Sequence, residues 1–230
     1  MIVSDRLRQM SWDSAARLAA LAGLATLDDP VRRRLYEYVS GQDQPVSRED
    51  AAAGAGIGRA LAAYHLDKLA GAGLLETAYQ RPAGRSGPGA GRPAKLYRPS
   101  GRELSVSVPP RAYELLARLL AEAAESDTSG QVRTTLNAAA HNLGRQLAAD
   151  ADEDPAALLE QYGYQPRPGP EGVLELRNCP FHQLARSHQD LVCSLNLHLV
   201  EGVIAGSRRA GARAELSPHP GRCCVVVHGA

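Results

Sequence analysis

Apolar positions recur at helical spacing through most of this chain and switch to short β-branched or alternating runs in only a few places. Residues 14–27, SAARLAALAGLATL, predict a first helix. Asp28-Asp29-Pro30 then marks a helix start, with acidic residues around the N-cap and proline in the first turn. Val31, Leu35, Tyr36 and Val39 give that second helix its apolar stripe, and Gly41 ends it. Ser47 followed three residues later by Asp50 makes a near capping box for the next helix. Gly54 and Gly56 form a turn, and a further helix is expected over residues 57–70, with Leu61, Leu66 and Leu69 as its apolar set and Gly71 and Gly73 at its end. Leu74 to Gln80 predicts a strand and Lys95 to Arg98 a return strand. Between them PAGRSGPGAGRP (82–93) is too rich in glycine and proline to pack a core.

Two longer helices follow, Pro110–Ser126 with Tyr113, Leu115, Leu116, Leu119 and Leu120, and Gln131–Asp150 with Val132, Leu136, Leu143 and Leu147 as a heptad-like seam. Asp150 to Asp154 reads as an acidic linker, Pro155 to Tyr162 as a short helix, and QPRPGP (165–170) as a hinge. The last stretch reads strand (Val173 to Asn178), one helix (His182 to Gly206), strand (Arg213–Leu216) and strand (Cys223–Val227). The expected fold is mainly α with small β. It comprises a winged helix-turn-helix over 1–100, a helical dimerisation region over 101–152, and a small α+β sensor domain over 153–230.

The order helix, turn, helix, strand, basic loop, strand assigns the front of the chain to DNA. In such a unit the second helix enters the major groove. Arg59, near its start, is the best placed for a base contact because its planar fork can pair with guanine. Tyr64, His65 and Lys68 would reach bases or phosphates, with packing against the preceding helix as the alternative for Tyr64 and His65. Arg85, Arg92 and Lys95 would form the wing and meet phosphates or the minor groove.

The formal net charge is only +1, but its distribution is uneven. Residues 30–100 hold 11 Lys/Arg against 6 Asp/Glu, whereas residues 101–170 hold 6 against 10. A basic block on the unit expected to read DNA is the footprint of a nucleic-acid partner. No stretch approaches the ~20 apolar residues of a membrane span, and the start MIVSDRLRQMSW has no long apolar run, so a cytoplasmic protein is expected.

All four cysteines, Cys179, Cys193, Cys223 and Cys224, fall within the last quarter of the chain, and none forms a CxxC pair. In a reducing compartment such thiols serve metal binding or redox chemistry more often than disulfides. Thiolates select zinc, Cu(I) and iron–sulfur clusters. Neighbours on a regular strand point to opposite faces, so Cys223 and Cys224 are not both expected at one site. The fourth position is left to His182, His188 or Cys224. A Cys–His enzyme built on Cys179 with His182 or His188 finds no orienting carboxylate or oxyanion hole in the sequence, and no small-molecule substrate is expected. A winged helix used for protein contact is a further alternative.

SREDAAAGAGIGRALAAYHLDKLAGAGLLE together with GRPAKLYR resembles the ArsR/MarR-type bacterial winged-helix family over residues 29–98. The resemblance implies a homodimeric repressor or activator on a roughly palindromic double-stranded operator. The C-terminal pairs Asn178-Cys179, Val192-Cys193 and Arg222-Cys223 resemble the iron–sulfur-cluster-containing repressors of the suf operon (the SufR family). That resemblance implies an iron–sulfur cluster on Cys179, Cys193 and Cys223, with zinc as the alternative, and cluster-bound repression. Where the four-cysteine form of that family has another cysteine, this chain reads GARAELS.

Overall fold

The structure, a computed structural model, describes residues 14–80, 93–109, 111–151, 154–207, 211–219 and 222–229. It forms two compact units, 1–111 and 112–230. The two central helices, expected as a separate region over 101–152, fold with the C-terminal unit.

The first unit contains α1 (Ser14–Thr26), α2 (Pro30–Ser40), β1 (Val46–Ser47), α3 (Arg48–Ala55), α4 (Arg59–Gly71), β2 (Leu75–Gln80) and β3 (Ala94–Pro99). The capping signals act as the sequence suggests. The Asp29 carboxylate accepts from the Val31 and Arg32 amides, and Ser47 Oγ accepts from the Asp50 amide. Gly56 ends α3 in the left-handed region at φ 65°, a conformation that favours glycine. The strands form an antiparallel sheet in the order β1-β3-β2, with Tyr97 paired to both Val46 and Thr77. β1 escapes a sequence reading because two residues show no alternation.

Leu35, Val39, Ala51, Ala62, Leu66, Leu69, Leu75 and Tyr97 share one core. The buried stripe of α4 is Ala62, His65, Leu66 and Leu69. Leu61, expected inside, is 45 % exposed. Spacings of three and four residues from Ala62 select the face that meets α2 and α3, and Leu61 falls off that face.

The second unit contains α5 (Tyr113–Glu125), α6 (Gln131–Ala151), α7 (Pro155–Gln161), β4 (Pro166–Pro168), β5 (Val173–Leu176), α8 (His182–Ala185), α9 (Gln189–Gly206), β6 (Arg213–Leu216) and β7 (Val225–His228). Its antiparallel sheet runs β4-β5-β7-β6. The expected hinge at 165–170 therefore contains a strand. Two of its three residues are proline, which is tolerated because β4 lies at the sheet edge. The single helix expected over His182–Gly206 is two helices, broken where His188 leaves helical geometry at φ −135°, ψ 50°.

The long helices α6 and α9 pack through small residues. A Cβ on Gly144 would lie 2.2 Å from the Leu199 carbonyl oxygen, and one on Gly202 would lie 2.1 Å from that of His141. The buried positions of α6 are Ala140, Gly144 and Ala148, not the expected leucine seam. Val132 and Leu143 of that seam are exposed. Close backbone approach explains the choice, since leucines on this face would hold the helices farther apart.

Candidate nucleic-acid interface and thiol centre

Arg59 is the first residue of α4, exposed, with Nη2 2.6 Å from Glu49 Oε1 on α3. Both side chains are more than half exposed, so this pair is readily exchanged for a phosphate or a base. Tyr64 is exposed, and Lys68 Nζ stands 5.6 Å from the centre of its ring, one turn along the helix. Packing engages two of the residues expected at the DNA, and for His65 it favours the packing alternative. His65 is only 7 % exposed, because it lies on the core stripe of α4. Lys95 Nζ lies 2.6 Å from Asp67 Oδ1 and 5.3 Å from the centre of the Tyr97 ring, so its charge ties β3 to α4. Arg85 and Arg92 lie outside the described residues.

Asp67 is the residue that the sequence reading missed here. It accepts from Lys95 and from the Tyr97 hydroxyl at 2.7 Å. Burial pushes its carboxyl up, but these hydrogen bonds outweigh that and hold it below its ordinary value.

In the second unit the four cysteines meet. Cys179 follows β5 at a corner where the Asn178 side chain donates from Nδ2 to the Gly163 carbonyl. The Cys223 amide donates to the Leu176 carbonyl at 2.8 Å and so continues the β5–β7 ladder to the foot of the same corner. Cys193 arrives from the second turn of α9. All four cysteines are free thiols, and all four border one cavity.

The alternation expected for Cys223 and Cys224 does not operate. β7 begins at Val225, so both cysteines precede the regular strand and both side chains face the centre. They line a cavity of about 380 Å³ with Cys179, Cys193, His182 and Arg222. His182 thus reaches the site, one turn beyond Cys179. His188 does not line it, and its Nδ1 lies 2.7 Å from Glu125 Oε2 on α5.

Cys223 is the most deeply buried of the four thiols. Hydrogen bonds from Cys179 and Cys224 lower its pKa well below the ordinary thiol range, helped by the Val225 amide and Asn196. The same bonds, together with burial, push Cys179 and Cys224 up. Asn196, fully buried on α9, donates from Nδ2 to Cys223 Sγ at 3.1 Å and accepts from the Tyr164 hydroxyl at 2.5 Å. Neither residue was marked by the sequence reading. The available signal was an amide inside the apolar stripe of Val192, Val200 and Val203.

The donor set of four sulfurs suits a thiophilic group. No group of three or more His, Cys, Asp or Glu side chains among the described residues is arranged to hold a metal ion. No helix among the described residues is long and apolar enough to cross a membrane.

Neither the curated proteins nor the solved structures contain a match to this chain. Residues 27–78, which span α2 to the first half of β2, match the helix-turn-helix domain family, and this match supports a DNA-binding transcriptional regulator.

Proposed function

We propose that the chain is a transcriptional repressor whose operator binding is controlled by an iron–sulfur cluster held by Cys179, Cys193 and Cys223, with Cys224 as the fourth ligand. The observation that carries the reading is the convergence of four thiols from three separate segments on one cavity, in a chain whose front unit carries a helix-turn-helix. Such a cluster would supply sensitivity to oxygen and to electron transfer.

The protein's own part is to bring the ligands together and to couple them to structure. Cys179 belongs to the corner after β5, Cys193 to α9, and Cys223 and Cys224 to the mouth of β7. Ligation would pin these elements to one another, and its loss would free them. The four thiols must turn away from one another to ligate, and the cavity gives them room.

The regulator acts as a homodimer on double-stranded DNA. The support is an unpartnered apolar face on α5, where Tyr113, Leu116, Leu119 and Leu120 are all exposed. A symmetric operator has half-sites a fixed helical repeat apart, so a modest rearrangement of a dimer changes affinity. Coupling of ~1–3 kcal/mol between the thiol centre and DNA is the expected size.

Zinc is the second reading, and one observation favours it. The observation is the donor set, since four cysteine sulfurs and the His182 imidazole line one cavity and these are the ligand types of a structural zinc site. Anaerobic purification decides between the two. A coloured protein with iron and acid-labile sulfide, whose affinity for its own upstream DNA changes on cluster loss, is the expected result. Stoichiometric zinc without sulfide overturns the cluster.

A further inference from the structure

We infer that Asn196, locked in place by Tyr164, is the positioning residue of the thiol centre, a permanent hydrogen-bond donor to the Cys223 sulfur. The inference rests on the thiol centre holding a metal group, whether cluster or single ion.

Asn196 occupies a place where the helix calls for an aliphatic side chain. It lies on the stripe of α9 that carries Val192, Val200 and Val203, and it is 0 % exposed. Burying an amide is costly unless its polar atoms are bonded. Here Oδ1 is bonded to Tyr164 and Nδ2 to Cys223. Tyr164 is itself 1 % exposed, and its hydroxyl bonds to this amide. With the hydroxyl donating to Oδ1, the NH2 group faces Cys223. A leucine, with the same branching and the same number of side-chain heavy atoms, would occupy the position without any of these requirements, so what the amide adds is the N–H directed at sulfur.

The other donors differ in kind. Any bond from the thiols of Cys179 or Cys224, which line the same cavity, would use an S–H proton, and that proton leaves when the sulfur binds a metal. The Asn196 N–H keeps its proton when Cys223 binds a metal, and so remains a donor. Partners of this kind fix ligand orientation, and their loss costs about 10–100-fold in metal affinity. In iron–sulfur groups, hydrogen bonds to sulfur also tune the potential.

The test uses the full chain. Metal-free protein is titrated with cobalt(II) against a competing chelator and read by the thiolate-to-cobalt absorbance. A second portion is reconstituted anaerobically with iron and sulfide and titrated redox-potentiometrically. The variants are Asn196→Leu, Tyr164→Phe and the double variant, which makes the buried pair wholly apolar and leaves no orphaned partner. The expected result is a cobalt affinity lowered about 10–100-fold in Asn196→Leu and the double variant, a smaller loss in Tyr164→Phe, and a midpoint potential shifted negative. Unfolding curves are run beside each. Wild-type cobalt affinity in the double variant overturns the inference, even if its stability changes. If the double variant does not fold, Tyr164→Phe decides: reduced affinity supports the inference, and wild-type affinity overturns it. A wild-type chain that takes up no iron or sulfide but binds cobalt in an Asn196-dependent way removes the cluster and leaves this role intact. A wild-type chain that binds neither overturns both.

Discussion

The hydroxyl of Tyr97 donates a 2.7 Å hydrogen bond to Asp67, joining the central strand of the first sheet to the helix expected to read DNA. Tyr97 is fully buried, and its tip bonds at the protein surface, where the Asp67 side chain is 52 % exposed. The pair fixes the distance between α4 and β3. Removing the hydroxyl in Tyr97→Phe should cost about 0.5–1.5 kcal/mol, measured by urea unfolding of the full chain. No change in the midpoint of the first unit would show that the contact is not formed in solution.

The same contact carries a pH dependence. Asp67 titrates below its ordinary 3.8 because hydrogen bonds from Lys95 and Tyr97 outweigh the upward push of burial. A carboxyl whose folded pKa is depressed gives stability that is present above the unfolded value and lost as pH falls through the folded one. The contribution is therefore intact at neutral pH and disappears only below 3.8. Asp67→Asn should flatten the acid limb of the stability curve. An unchanged acid limb in that variant would remove Asp67 from the account.

Packing of α6 on α9 gives a prediction about backbone approach. Gly202→Ala would place a methyl carbon 2.1 Å from the His141 carbonyl oxygen, which cannot yield as a flexible side chain can. Overpacking of this kind costs about 1–3 kcal/mol. Thermal unfolding should show a lower midpoint for Gly202→Ala and for Gly144→Ala, while Leu143→Ala, at an exposed position, should change little.

For DNA, Arg59→Ala should cost ~1–3 kcal/mol and relax preference at one operator position. Lys68→Ala should weaken binding on every sequence and reduce the salt slope by about 1. Lys95→Ala should have the smaller effect on salt slope, since its charge is spent on Asp67. Arg85→Ala and Arg92→Ala should behave like Lys68→Ala. Equal loss of sequence preference in all these variants would contradict the assignment of Arg59.

Serine at Cys224 should reduce metal loading as severely as serine at Cys179, Cys193 or Cys223, because Cys224 lines the same cavity as the other three thiols. Iron, sulfide and zinc assays on anaerobic protein measure this directly. Full loading of Cys224→Ser would return the fourth position to His182.

The dimer is tested by Leu116→Glu and Leu120→Glu in the full chain, followed by sedimentation. Both side chains are more than half exposed, so the charge is tolerated in the monomer. The variants should sediment as monomers where the wild type is a dimer. A chain cut near residue 152 is a poor test, because it strips α9 from the small-residue face of α6.

Local signals determined the front unit almost by themselves. Asp29, Ser47 and Gly56 act within a few residues of where they stand, so capping and turn chemistry show in the sequence and persist in the fold. The grouping of thiols toward one end was equally visible. Which side of a helix is buried was not, because that depends on what lies opposite. The leucines of α6 suggested a seam, yet Gly202 and Gly206 on α9 select Ala140, Gly144 and Ala148, since only small side chains allow the two backbones so close. His65 and Lys95 likewise looked available for DNA until Asp67 and the core of α4 claimed them. The place of Cys224 depended on where a strand begins, which the pairing of β7 with β5 and β6 sets and which alternation along one segment cannot reveal. Asn196 shows the same division. Its polarity within an apolar stripe was readable, but its purpose required Tyr164 and Cys223, 32 and 27 residues away, to be brought against it.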